Sequence, residues 1–257
     1  MVVEAIQFMI TSDELTLSEK QMFSFFRSIP KELENSVGLM GGWAVTYLLA
    51  NRNVRHIGSR DIDIFYDSAS VSYNTMTDLI ARQGFAPHST FRWAKFYDRG
   101  TGKQIAEDES KTVEQYNLIT TYLDLASQNP VAHQVLHEPL LREVFAGKIE
   151  RWYYQGKSIL MPEIGIMVRI KTKSALERVN DFKRKKDLVD LVAMVRNVPS
   201  LWSTVHDGDK LREDLRNSHI SELMEELPRF SRDGTIDAVA QSLGLDSNVV
   251  LEILRRL

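Results

Sequence analysis

The chain has 257 residues, 43% of them hydrophobic and 26% charged, which is enough for one large globular domain or two modest ones. A formal net charge of −3 excludes a global pull toward nucleic acid or anionic membrane, so any basic contact must be local. The chain contains no cysteine, which excludes disulfides, thiolate zinc sites and cysteine nucleophiles.

Residues 1–10 carry Glu4 and Gln7 and lack the basic start and apolar core of a signal peptide. No apolar run approaches the ~20 residues needed to cross a bilayer, so the expectation is a soluble, cytoplasmic protein without a membrane partner. Residues 12–35 read as helical, capped by Ser12 or Thr16 and striped by Leu17, Met22, Phe23, Phe26 and Ile29 before Pro30 stops them. Val37-Gly38-Leu39-Met40 reads as a short strand, Gly41-Gly42 as a turn, and residues 43–50 as a helix. Ile62 and Ile64 alternate with acids, which predicts a strand over 62–66, and residues 71–83 predict a helix closed by Gly84.

Residues 89–103 alternate aromatics (Phe91, Trp93, Phe96) and end in the hairpin-like turn Asp98-Arg99-Gly100-Thr101-Gly102. Residues 118–125 read as a strand, 130–147 as a helix, and 149–161 as a hairpin across Gln155-Gly156-Lys157. From about Met167 onward the pattern is helical, with breaks expected near Pro199, Pro228, Gly234 and Gly244. The order is therefore α+β for about 160 residues and then all-helical. It predicts a sheet-based domain over 1–165 and a helical domain over 166–257, with a cleft between them.

The chemistry centres on Asp61-Ile62-Asp63-Ile64. Residues two apart in a strand share a face, so Asp61 and Asp63 project together while the isoleucines enter the core. Paired carboxylates repel unless a cation lies between them, and oxygen-only ligation favours Mg2+ or Mn2+. A solvated strand end is the plainer reading of that pair alone. Gly41-Gly42 lies between an apolar strand and a helix, where glycine lets the backbone approach a ligand and the helical amides can receive a phosphate. A simple strand-to-helix turn is the plainer reading of the glycines alone.

Together, strand, Gly-Gly, helix and a strand bearing Asp-x-Asp resemble the nucleotidyltransferase motif of the DNA polymerase β superfamily. Here the motif is Met40-Gly41-Gly42-Trp43-Ala44-Val45, then Ser59-Arg60-Asp61-Ile62-Asp63-Ile64. The Gly-Gly-Trp-Ala-Val form is similar to antibiotic nucleotidyltransferases, although the spacer of eighteen residues between Gly42 and Asp61 is longer than the shortest version. The resemblance implies a polymerase-β-type fold, a mixed sheet with flanking helices followed by a helical C-terminal region. It also implies a third carboxylate. Asp124, between Leu123 and Leu125, is the best placed, against Glu107, Asp108 and Glu109, whose polar stretch reads as a loop. In the implied two-metal mechanism Asp61 and Asp63 hold both ions, while Asp124 holds one and helps deprotonate the acceptor hydroxyl.

Residues 171–196 read as one basic helix in which Lys171, Arg178 and Lys185 fall on one face. Lys183–Asp187 and Lys186–Asp190 are spaced as exposed i,i+4 ion pairs. The order Pro162, Lys171, then Lys186-Asp187-Leu188-Val189-Asp190-Leu191 resembles abortive-infection (AbiEii-type) toxin nucleotidyltransferases. That resemblance, over about residues 37–195, implies Lys171 as a phosphate contact and Asp187 and Asp190 as nucleotide contacts, beside Gly41 and Gly42; Ser59 and Arg60, ahead of the acidic pair, either touch phosphates or only shape the turn. The resemblance also implies an antitoxin protein as partner.

The activity so implied is transfer of an NMP from an NTP to a hydroxyl acceptor with release of pyrophosphate. The acceptor is an RNA such as tRNA or a small hydroxylated molecule; the basic stretch 169–186 leans to RNA and the Gly-Gly-Trp-Ala-Val form to a small molecule. The alternative is a non-catalytic nucleotide-binding or nucleic-acid-binding regulator that keeps the fold. Other features read blandly. His133 and His137 lack the glutamate of a metalloprotease helix. Trp43 fits core packing better than base stacking. Residues 235–257 have helix-turn-helix spacing but too few basic groups for a DNA reader, and read as a packing pair.

Overall fold

The computed structural model describes residues 11–131, 135–197 and 219–257. The readings for residues 1–10, His133 and Pro199 lie outside the described residues. The chain divides into two compact units, one comprising Ile10–Tyr47 and Gly58–Pro162, the other including Leu48–Ile57 and Glu163–Leu257.

The first unit is built on one mixed sheet. Helix α1 (Ser12–Ser28) opens it, capped not by Ser12 or Thr16 but by Thr11, whose hydroxyl accepts from the Glu14 amide while the Glu14 carboxylate accepts from the Thr11 amide. Strand β1 (Val37–Met40) runs directly into α2 (Gly41–Ala50), followed by β2 (Ile62–Tyr66) and α3 (Tyr73–Arg82). Then come β3 (Ala86–Pro87), β4 (Arg92–Asp98), β5 (Gln104–Ile105), the short helix α4 (Glu107–Ser110), and β6 (Leu118–Ser127). The unit closes with β7 (Leu136–His137), α5 (Leu141–Phe145), and the hairpin β8 (Ile149–Tyr154) and β9 (Lys157–Pro162).

The sheet order is β3-β4-β6-β2-β1-β9-β8, with β5 beside β4 and β7 beside β6. β2 pairs parallel with β6 and antiparallel with β1, so the sheet is mixed at its centre. Two expectations fail here. The helix expected over 130–147 is, where described, a two-residue strand and the short α5; Pro130 and Pro139 leave too little uninterrupted chain for a long helix. Glu107, Asp108 and Glu109, expected in a loop, form most of α4. Core side chains come from both strand and helix: Ile62, Ile64 and Phe65 of β2, Leu123 and Leu125 of β6, and Met22 and Phe25 of α1 are all fully buried.

The second unit is helical: α6 (Ile164–Glu177), α7 (Asp181–Asn197), α8 (Ile220–Arg232), α9 (Thr235–Leu243) and α10 (Ser247–Leu254). The single helix expected over 171–196 is two helices, because the Asn180 side chain accepts from the Lys183 amide at 3.0 Å and so starts a new helix at Asp181. Lys171 and Lys185 therefore lie on different helices. Pro228, expected as a break, sits inside α8. The buried stripe Ile220, Leu223, Leu227 and Phe230 has helical spacing on either side of it, and its burial outweighs the proline penalty of about 3 kcal/mol. Gly244 caps α9 with φ +61° at the expected break. The pair α9 and α10 packs on α7.

This is the expected α+β arrangement, a mixed sheet with flanking helices and a helical C-terminal region. Among the described residues no helix is long and apolar enough to cross a membrane.

Candidate active site

The pairing of four adjacent strands places chemically distinct residues in one row across the sheet. Met40 of β1 lies opposite Asp63 of β2, Asp63 opposite Asp124 of β6, and Asp124 opposite Arg92 of β4. Directly opposed residues of neighbouring strands project from the same face. Asp63, Asp124 and Arg92 therefore present their side chains together, at the parallel junction of the sheet. Asp61 lies one residue before β2, two positions from Asp63, and its carboxylate meets the same guanidinium.

Gly41 is tied to Asp63 by space. Its φ is +67°, and a Cβ added there would lie 1.9 Å from Asp63 Oδ2 and 2.6 Å from Asp63 Cγ. The Asp63 carboxylate thus occupies the volume that any other residue at 41 would fill. Gly42 follows in the first turn of α2, where its carbonyl accepts from the Thr46 hydroxyl at 2.9 Å. The amides at this end of α2 point out of the helix, with its positive dipole end beside the acidic row. Trp43 is core, as its indole donates to the buried Ser18 hydroxyl at 3.0 Å. Ser59 is buried two residues ahead of Asp61.

Two carboxylates directly opposed on neighbouring strands repel. The compensating charge comes from Arg92, a residue that sequence patterns did not single out. Its Nε donates to Asp124 Oδ1 at 2.7 Å and its Nη2 to Asp124 Oδ2 at 2.6 Å, a two-pronged fork, and Nη2 also reaches Asp61 Oδ2 at 3.4 Å. The guanidinium lies 4.7 Å over the Tyr122 ring, which fixes its plane. Hydrogen bonding to Asp124 raises the Arg92 pKa above its ordinary value against the opposing effect of burial, so the charge is permanent. Arg60 adds a weaker contact, Nε to Asp61 Oδ1 at 3.6 Å, and is 41% exposed. The only local signal for Arg92 is a charged residue between two aromatics, Phe91 and Trp93, at the start of β4.

The donor chemistry at Asp61 and Asp63 suits one hard divalent cation. Asp124 is different, because both of its oxygens are engaged by the guanidinium. Among the described residues no three histidine, cysteine or acidic side chains come together in a group that could hold a metal. The donor set of Asp61 and Asp63 is one that a hard cation would take, whereas Asp124 is already taken by Arg92.

Lys171 and Asp187 belong to the helical unit. There the Lys171 ammonium, 6% exposed, lies 2.7 Å from Asp187 Oδ1 and 2.6 Å from Asp190 Oδ2. Asp187 also accepts from the Ser174 hydroxyl at 2.9 Å and from Arg178 Nε at 3.3 Å, and His56 Nε2 lies 3.2 Å from Asp190 Oδ1. Burial alone would depress the Lys171 pKa, but the two carboxylates outweigh it and hold it above its ordinary value. Burial likewise pushes Asp190 upward, and Lys171 and His56 overcome this to hold it low. The exposed i,i+4 arrangement expected of Asp187 and Asp190 is thus replaced by a buried network across α6 and α7, because both carboxylates face the neighbouring helix.

No family model matches the chain, and no curated protein matches it in sequence. Among solved structures, it is similar to an antigenic nucleotidyltransferase-like protein from Paracoccidioides brasiliensis at 17% identity and a TM-score of 0.49, covering 93% of this chain and 98% of that one. At this distance the function has to be argued from the residues of the chain itself.

Proposed function

We propose that the chain is a nucleotidyltransferase that moves an NMP from an NTP to a hydroxyl acceptor and releases pyrophosphate, with Mg2+ or Mn2+ as its cation. The observation that carries this reading is the fit of the Asp63 carboxylate into the space left by Gly41, which joins the glycine turn and the acidic pair into one centre. A turn that served only to connect strand and helix would not need its missing Cβ at the acid.

Asp61 and Asp63 would hold the cation. When bound, it supplies positive charge to the triphosphate and the departing pyrophosphate. The other contributions are the chain's own. The free amides after Gly41 and Gly42 receive a phosphate at the positive end of α2. Arg92 keeps Asp61 and Asp124 from repelling and places a fixed positive charge beside the acidic pair. Ser59 borders the acidic pair as a phosphate contact. An antitoxin partner is proposed on the sequence resemblance to the abortive-infection enzymes; Lys171 and Asp187 bind each other inside the helical unit, which leaves the nucleotide contacts to Gly41, Gly42 and Ser59. The acceptor is an RNA such as tRNA or a small hydroxylated molecule.

The test is incubation with each labelled NTP, Mg2+ and either total RNA or an aminoglycoside panel. Label is expected in one acceptor class with the natural chain and in neither with Asp63→Asn, whose fold is checked by circular dichroism. Appreciable transfer by Asp63→Asn overturns the assignment. One observation favours a second reading, nucleotide binding without transfer: a carboxylate locked in an arginine fork is a weak base. Saturable NTP binding with no label in either acceptor would select it.

A further inference from the structure

We infer that Arg92 is a built-in replacement for one of the two cations expected here, so that the centre takes a single divalent cation, on Asp61 and Asp63, and Asp124 is not a metal ligand. The inference rests on the nucleotidyltransferase reading and revises how that centre is charged.

Three features of the row support it. Both Asp124 oxygens accept from one planar guanidinium at 2.7 and 2.6 Å, the geometry in which arginine saturates a carboxylate. The fork is anchored: Arg92 and Asp124 are register partners of β4 and β6, the Arg92 amide donates to Ser89 O at 3.3 Å, its carbonyl accepts from His88 and Ser89, and its guanidinium lies over Tyr122. Asp124 is 6% exposed, so a cation could reach it only by displacing the arginine. Charge points the same way. The Arg92 guanidinium already supplies positive charge on the Asp124 side of the cluster, where a second cation would otherwise sit. Arg92 also reaches Asp61 at 3.4 Å, so it spans the Asp124 side of the cluster.

The experiment is titration of the full chain with Mn2+ alone, following loss of the free-ion EPR signal. The natural chain is expected to take up about one equivalent, and Asp63→Asn to lose it by more than about tenfold in affinity. Arg92→Met is expected to take up a second equivalent, which the double variant Arg92→Met with Asp124→Asn loses again. Arg92→Lys, which keeps the charge, stays at one. Uptake of the first equivalent by Arg92→Met reports that its site is folded. If that variant does not fold, Asp124→Asn in the natural background decides: retention of one equivalent supports the inference, and loss of binding overturns it. Two equivalents in the natural chain overturn this inference and leave the proposed transfer standing. No uptake by any variant overturns both, because the cation pair itself then fails.

Discussion

Replacing Gly41 with alanine should remove activity far more than stability, and the size of each effect can be worked from the geometry. The new Cβ would fall 1.9 Å from Asp63 Oδ2, whereas contacts under 3.0 Å are essentially never seen, so the carboxylate must move by more than about 1 Å. A displacement of that size at a reacting centre costs about 100-fold in rate. The φ of +67° adds about 1–2 kcal/mol of backbone strain, a cost separate from the clash. Gly102 separates the two effects. Its φ is +66° and nothing lies within 4 Å of the position a Cβ would take, so Gly102→Ala carries the strain without touching the site. Urea unfolding should show a loss of about 1–2 kcal/mol for Gly102→Ala and a loss larger by about 1–3 kcal/mol for Gly41→Ala, which adds the clash, while nucleotidyl transfer should fall about 100-fold in Gly41→Ala alone. Equal activity in the two variants would refute the claim that the glycine exists to seat Asp63.

Two further predictions concern buried charge. Lys171→Met removes the ammonium shared by Asp187 and Asp190, which are 4% and 0% exposed and keep Ser174, Arg178 and His56 beside them, and should destabilise the protein by about 3 kcal/mol in urea unfolding; a loss under about 1 kcal/mol would mean the network is solvated. Lys95 is buried on β4, where its ammonium donates to Gln21 Oε1 at 2.7 Å and lies over the Phe85 ring, and burial lowers its pKa to about 8. Between about pH 8 and its ordinary 10.5 the unfolded chain therefore binds a proton that the folded one does not, so stability should rise with pH across that window. Lys95→Met should flatten the rise, and an unchanged slope would contradict the burial account.

The central parts of the fold could be read locally because each has a short-range cause. The alternation of Ile62 and Ile64 places β2 at Ile62–Tyr66, and the apolar flanks of Asp124 put it in a strand, β6, while from the sequence its place beside Asp63 is implied by the resemblance alone. The failures also have local causes. Asn180 caps a second helix where one continuous basic helix was expected, and the buried stripe of α8 carries Pro228 through a helix. Arg92 was hidden for a different reason. Its meaning depends on registry with Asp124, 32 residues away, and no periodicity within β4 encodes which partner lies across the sheet. The inward turn of Asp187 and Asp190 toward Lys171 is likewise a packing outcome that i,i+4 spacing along α7 does not contain.

Position of the label decides the central claim. The natural chain, Mg2+ and acceptor would be incubated with NTP carrying the label on the α-phosphate, and in parallel on the γ-phosphate. Nucleotidyl transfer at Asp61 and Asp63 predicts that the α label moves to the acceptor while the γ label leaves in pyrophosphate, both lost in Asp63→Asn. Movement of the γ label to the acceptor, or α transfer that survives Asp63→Asn, would contradict it.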